Sequence, residues 1–386
     1  MNDHFSADVG MTVEQLRSLL PITERQIYLF NGNICPCATT VRQAIDAFMQ
    51  VWSEGGDACW QLGADAYDRG KELFADLIGA DAQCICGIPN TTTGINLAVH
   101  LVGPHSGQNI VVTELEHMSD VYPWLALRDR GVEVRYVPGH EGQIDMEEFA
   151  RTIDDQTAAV SISHVTMGSG YRFDLDEVSR LAHDHGARVV VDAAQSAGAV
   201  PIDVATLQID ILAAPSFKWM FGPLGAGFLY VCPELVQHCD PPLPGWFGVA
   251  NPMDNDLHQM NWHDSAHKFE RGVPSMIAFV AAKAGLELLK KIGHETAFDR
   301  IATLASYLHE GLNDLGIMVH TPQSPFARAG IVAAKLSQPE QLWQSLEDAS
   351  IHTGHWLGYL RIDTACYNKQ QELDKLLKHL REHRAV

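Results

Sequence analysis

The chain has 386 residues with a formal net charge of −21, 46% of them hydrophobic and 19% charged, the balance of an ordinary globular chain with room for one large domain and a smaller companion. The acidic excess excludes a general nucleic-acid binder or a partner of anionic membranes, while leaving room for a local anion pocket. No apolar run approaches the roughly 18 residues a membrane helix needs, and the opening Met1-Asn2-Asp3-His4-Phe5 lacks the basic and apolar regions of a signal peptide.

In chain order, the residues before about 30 are expected to pack on the C-terminal part of the chain. Asn90-Thr91-Thr92-Thr93-Gly94 reads as a loop entering a helix, where hydroxyls and free backbone N–H groups make a phosphate site. From about 75 to 232, short apolar runs alternate with helical patterns. Strands are predicted at 110–113, 132–137, 158–163, 189–191, 209–213 and 228–231, with a helical face of Leu175, Val178, Leu181 and Ala182. Such alternation predicts a mostly parallel sheet with helices on both faces. The pattern then changes to helices at 274–292, 302–315, 341–349 and 370–381, with strand-like runs at 330–334 and 364–367. The division is a large domain over 31–273 and a small α+β domain from 1–30 and 274–386.

Two charged residues stand at the ends of apolar runs, where open α/β sheets place their chemistry. Asp192 follows Val189-Val190-Val191, and Lys218 lies between the apolar runs 209–213 and 228–231. Alone, Asp192 reads as a turn residue or helix cap. The buried lysine changes that reading, because desolvation lowers an amine pKa and makes it nucleophilic. A lysine that bonds a carbonyl cofactor and an aspartate that holds a pyridinium nitrogen protonated are what pyridoxal 5′-phosphate needs from a protein. His117, just past the run ending at Thr113, is placed to stack on a flat ring and to move protons near neutral pH.

With Asp192-Ala193-Ala194-Gln195-Ser196, the downstream Lys218, Thr91-Thr92-Thr93-Gly94-Ile95-Asn96 and Glu116-His117-Met118-Ser119-Asp120, the chain resembles the class-V aminotransferase family of fold-type-I pyridoxal-phosphate enzymes, which includes cysteine desulfurases, epimerase-like proteins and kynureninases. The resemblance implies a cytoplasmic homodimer acting on a small amino-acid substrate. Lys218 is then the Schiff-base lysine and, with His117, catalytic. Asp192 pairs with the pyridine nitrogen, Gln195 with the phenolic oxygen, His117 with the ring face, and Thr91, Thr92 and Ser216 with the phosphate. Arg361 clamps the substrate carboxylate, Trp246 walls the pocket, and the segment Phe269-Glu270-Arg271-Gly272-Val273-Pro274-Ser275 reaches the partner's phosphate.

The departures from the family pattern carry the functional expectation. Desulfurases hold a nucleophilic cysteine shortly before the clamp arginine, whereas His352-Thr353-Gly354-His355-Trp356-Leu357-Gly358-Tyr359 holds none and is short. Cys366 lies beyond Arg361 and reads as core. Phe217, Val273 and Met167 stand where relatives carry hydrogen-bonding side chains. The eight cysteines include Cys35/Cys37 and Cys84/Cys86 in C-x-C pairs rather than C-x-x-C, so no metal site is expected. The expected activity is a β-eliminating lyase, of the C–S type, on a small or modified L-amino acid. Transamination or epimerisation, and a binding protein without turnover, are the alternatives.

Overall fold

Runs of Val, Ile, Leu and Ala form seven strands of one sheet: β1 Ile85–Ile88, β2 Asn109–Thr113, β3 Glu133–Val137, β4 Thr157–Ser163, β5 Arg188–Asp192, β6 Ile211–Pro215 and β7 Gly227–Val231. Their order is β1-β7-β6-β5-β4-β2-β3. All are parallel except β7, which runs against both β1 and β6. This is the mostly parallel, mixed sheet the sequence predicts. The computed structural model describes residues 10–254, 257–336 and 338–383; the first residues, read above for a signal peptide, lie outside them.

Successive side chains alternate between faces, so neighbours on one strand enter different cores. Ile110 and Val112 join Ile95, Ala98 and Trp124 under the helices Thr91–Val102 and Met118–Leu125. Val111, Val189 and Val191 face Phe74, Val178 and Leu286 from the helices Cys59–Ile78, Leu175–His183 and Met276–Ile292. With both faces covered, the strands read as near-continuous apolar runs. No described helix is long and apolar enough to cross a membrane.

A second sheet is antiparallel, with β8 Met318–Val319, β9 Ile331–Lys335, β10 Gly354–Trp356 and β11 Tyr359–Asp363 in the order β8-β9-β11-β10. Leu304 and Leu308 of the helix His294–Asp314, with Leu373 and Leu376 of Gln370–His383, cover it. The helix Met276–Ile292, assigned by sequence to the small unit, instead packs on the large one through Phe279, Leu286 and Leu289. The expected strand at 364–367 is a turn after β11, where Ala365 N donates to Asn368 Oδ1 (2.8 Å).

The N-terminal segment joins the two sheets. Ile27–Tyr28 pairs in parallel with Ile351–His352, and Asp363 N donates to Leu29 O (2.7 Å). This places the end of β11 beside residues 30–33, and hence beside the ends of β5 and β6.

Phe228 on β7 stacks on Phe74 at 4.8 Å and meets Phe279 edge-on at 5.7 Å. Phe228→Ala is expected to cost about 3–5 kcal/mol, read as a lower denaturant midpoint with an unchanged slope. A loss below about 1 kcal/mol would show that this aromatic cluster does not hold the sheet to its helices.

Candidate active site

Lys218 lies three residues beyond β6, in a turn held from below by Asn31, whose Nδ2 donates to Lys218 O (3.0 Å). Burial lowers its pKa to about 8; Asp192 opposes that fall, Arg361 adds to it and Asp363 opposes it. Asp192 is the last residue of β5. Burial raises its pKa, while Lys218 and the N–H of Ala194, donated to Oδ1 at 2.7 Å, hold it down. Its Oδ2 takes no hydrogen bond from the described residues.

His117 caps the helix Met118–Leu125, its Nδ1 accepting from Ser119 N (3.1 Å). The neutral ring therefore carries its proton on Nε2. Burial lowers the His117 pKa, Asp192 pulls it up and Lys218 pushes it down. The preceding Glu116 ties two strand ends together: Oε1 accepts from Thr113 Oγ1 (2.7 Å) and Oε2 from Ser163 N (2.7 Å). Burial brings its pKa up to about 7. Asp120, fully buried, accepts from Ser161 Oγ (2.8 Å) and leaves Oδ2 without a partner. Sequence reasoning passed over Glu116 and Asp120, although both stand in the segment quoted for His117.

At the end of β1, Asn90 caps the helix Thr91–Val102 by accepting from Thr93 N (2.9 Å). The N–H groups of Thr91 and Thr92 keep no partner in the helix, which leaves free backbone donors at its positive end beside two hydroxyl side chains. Ser216 is placed differently from the expectation. It is 0% exposed and its hydroxyl donates to Ala226 O (2.8 Å) and Pro223 O (3.0 Å), so it closes the turn that carries Lys218 rather than turning out to an anion. Residues 269–275 line a cavity of about 560 Å³ with Thr93 and Asn96, on the outer side of the same helix. Trp246 is 48% exposed and packs edge-on against Phe247, and no described contact joins it to Lys218.

Gln195 and Arg361 meet at Gly32. Gln195 Nε2 donates to Gly32 O (2.9 Å), and its Oε1 accepts from Trp219 Nε1 (3.0 Å), which leaves one amide N–H for a ligand. A Cβ at Gly32 would overlap Arg361 Nη2 and Gln195 Oε1, so a larger residue there would displace both side chains from this arrangement. Arg361, on β11, lies over the Phe30 ring with its guanidinium carbon 5.4 Å from the centroid. Its Nε and Nη2 donate to the two oxygens of Asp363 at 2.9 and 3.0 Å. Asp363 went unnoticed in the sequence, although its position two residues along a strand puts it on the face of Arg361.

Beyond Trp356 the chain reverses through Leu357 and Gly358, at φ 47° and 83°, straight back into β11. This closed hairpin occupies the stretch where a longer nucleophile-bearing loop was looked for. Cys366 is buried and its thiol pushed up to about 12. Cys35, whose N–H donates to Phe217 O (2.9 Å), is likewise buried, its thiol pushed up to about 12. No group of metal-ligating side chains is found among the described residues.

The residues fit pyridoxal 5′-phosphate on grounds of their own. A desolvated amine, a buried carboxylate with one open oxygen, and a helix N-terminus with unused donors converge from the C-terminal ends of β6, β5 and β1.

The family model described as aminotransferase class-V matches residues 27–376. A protein of Methanothermobacter thermautotrophicus named probable cysteine desulfurase is 30% identical over 290 residues, covering 74% of this chain and 72% of its own. One of Pyrococcus abyssi with the same name is 27% identical over 394 residues, covering 96% and 97%. Among solved structures, the apo cysteine desulfurase of Thermococcus onnurineus NA1 has a TM-score of 0.86 at 27% identity, with 96% of this chain and 98% of that one covered. A cystine C–S lyase in complex with cysteine persulfide shares the fold, with a TM-score of 0.85 at 24% identity over 94% and 99% of the two chains.

The Lys218 amine of cofactor-free protein is expected to react with an aldehyde probe with a midpoint near pH 8, protonated and inert below it and nucleophilic above. Asp192→Asn removes the carboxylate that favours the ammonium, so the midpoint should move down. A midpoint at the ordinary lysine value of about 10.4 would contradict the desolvated site.

Proposed function

The chain belongs to the class-V aminotransferase family of pyridoxal 5′-phosphate enzymes, and within it we propose a β-eliminating carbon–sulfur lyase acting on a small or modified L-amino acid. The observation that carries this reading is the closed hairpin at Leu357-Gly358, which offers no thiol beside Arg361. Sulfur cleaved from the substrate leaves in a small molecule rather than on the protein. Relatives named probable cysteine desulfurase support this reading, and a neighbour of the same fold is named cystine C–S lyase.

In this reading Lys218 would carry the cofactor, with Asp192 held for its ring nitrogen and His117 for its ring face. Gln195 would offer its remaining amide N–H to the phenolic oxygen, and Thr91 and Thr92 would hold the phosphate on the helix dipole. The cofactor supplies an electron-accepting ring that acidifies the substrate's α-carbon. Lys218 Nζ, with its pKa lowered to about 8, takes the α-proton. The Cβ–S bond breaks with its electron pair leaving on sulfur, and water hydrolyses the remaining three-carbon enamine to keto acid and ammonia. Arg361 holds the substrate carboxylate against Phe30, and the turn made by Ser216 fixes the lysine's backbone.

In this reading the working unit is a dimer of two copies, an interface that would cover some of the exposed Trp60, Leu62, Met118, Tyr122 and Val273. All eight cysteines are unpaired, which suits a reducing, cytoplasmic compartment.

Purified protein should carry a yellow visible band that is absent in Lys218→Ala. L-cysteine or L-cystine should yield keto acid and ammonia in equal amounts, with no sulfur retained on the protein. Cys366→Ser should keep at least about half the activity, the ordinary effect of a conservative core change on a step it does not touch. Absence of keto acid and ammonia from every sulfur amino acid tried would sink the lyase reading.

A further inference from the structure

Asp363 is the most completely engaged charge near Lys218 that the chemistry above does not use. It is 0% exposed and takes both inner donors of Arg361, Nε at 2.9 Å and Nη2 at 3.0 Å. Its Oδ2 also accepts from Gly32 N at 2.8 Å. The guanidinium is held on two further sides, over the Phe30 ring and against Gly32, while Phe30 fits only because residue 354 is glycine: a Cβ there would overlap the ring. Arg361 itself is 4% exposed. Nη1 has no described partner and is not among the sealed, unpartnered atoms, so the outer edge of the fork is the open one.

A guanidinium binds carboxylate best through two parallel N–H groups, and the side edge of this one is already taken. We propose that Asp363 is the specificity-determining and positioning residue of the carboxylate clamp. It occupies the inner edge of Arg361, so that a substrate carboxylate is held only end-on, through Nη1 and the outer N–H of Nη2, and it cancels the charge that would otherwise grip any carboxylate tightly. The ligand class this suits is a monocarboxylic amino acid bound in one orientation and released readily. The proposal rests on Arg361 being the substrate clamp of the lyase reading.

Replacing Asp363 leaves a buried arginine uncompensated, and a ligand carboxylate can take over the missing one. The probe is propionate, a carboxylate that cannot react. Holoenzyme, Asp363→Asn and Asp363→Ser are compared by calorimetric binding of propionate, by its effect on the melting temperature, and by kcat and KM with the best sulfur amino acid. Asp363→Ser keeps a small acceptor for Gly32 N should the asparagine variant fold poorly.

The variants are expected to bind propionate about tenfold tighter than the parent and to gain more melting temperature from it, while kcat falls because the fork is no longer fixed. Folded variants that bind propionate equally or more weakly would overturn the proposal. Tighter binding with unchanged kcat would overturn its positioning half. A parent protein without a yellow band would instead overturn the cofactor reading, and the propionate comparison would still report on the pair.

Discussion

Four charged residues share one water-poor space, and the architecture is arranged around bringing them together there. Lys218 and Asp192 come from adjacent parallel strands of the large sheet; Arg361 and Asp363 come from one strand of the small sheet. The other three influence the protonation of Lys218. A charge left alone in such a place costs several kcal/mol, and Asp363 is what spares Arg361 that cost. The segment at 27–33 acts as the strap between them. Leu29 joins the small sheet, Asn31 holds the backbone of Lys218, and Gly32 touches Gln195, Arg361 and Asp363 within one residue.

The same economy explains the character of the individual groups. Lys218 is made basic enough to take a proton and neutral enough to attack because burial and Asp192 oppose each other. His117 is kept neutral by burial and by its cap bond to Ser119, which also fixes which nitrogen bears the proton. Glu116, at the strand ends, is brought up to about 7 by burial while it braces β2 against β4. These groups differ in chemistry, yet a single cause, the exclusion of water at the end of the sheet, sets all three.

Much of this was legible in the chain because it depends on local pattern. The apolar runs read at 110–113, 189–191 and 209–213 fall on strands ending at Thr113, Asp192 and Pro215, since a strand buried on both faces reads as a continuous apolar run. Asn90-Thr91-Thr92 was readable as a helix start because capping is local chemistry. What was illegible depends on contacts distant in sequence. Ser216 looked like an outward hydroxyl, but its direction is fixed by carbonyls of Pro223 and Ala226 across a turn. The strand-like residues 364–367 break into a turn because Asn368 and Gly330 take their backbone groups. The helix His294–Asp314 starts eight residues before the predicted 302, because its first turns earn burial against the large unit, which periodicity within the helix does not record. Asp363 was in plain view two residues from Arg361; what the sequence hid is its second contact, the donor from Gly32 N 331 residues away.

The reversed strand β7 has a consequence for how the chain assembles as it is made. β1 lies at the edge of the sheet and its one sheet neighbour is β7, which lies some 140 residues later. Until residue 231 has been synthesised, β1 has no strand to pair with, although it precedes every other strand of the sheet. Lys218 lies in the hairpin that delivers β7, so β1 finds its partner only after the chain that carries the amine. Such a long-range pairing slows folding. The first strand of the large sheet to be made is thus the last to be paired.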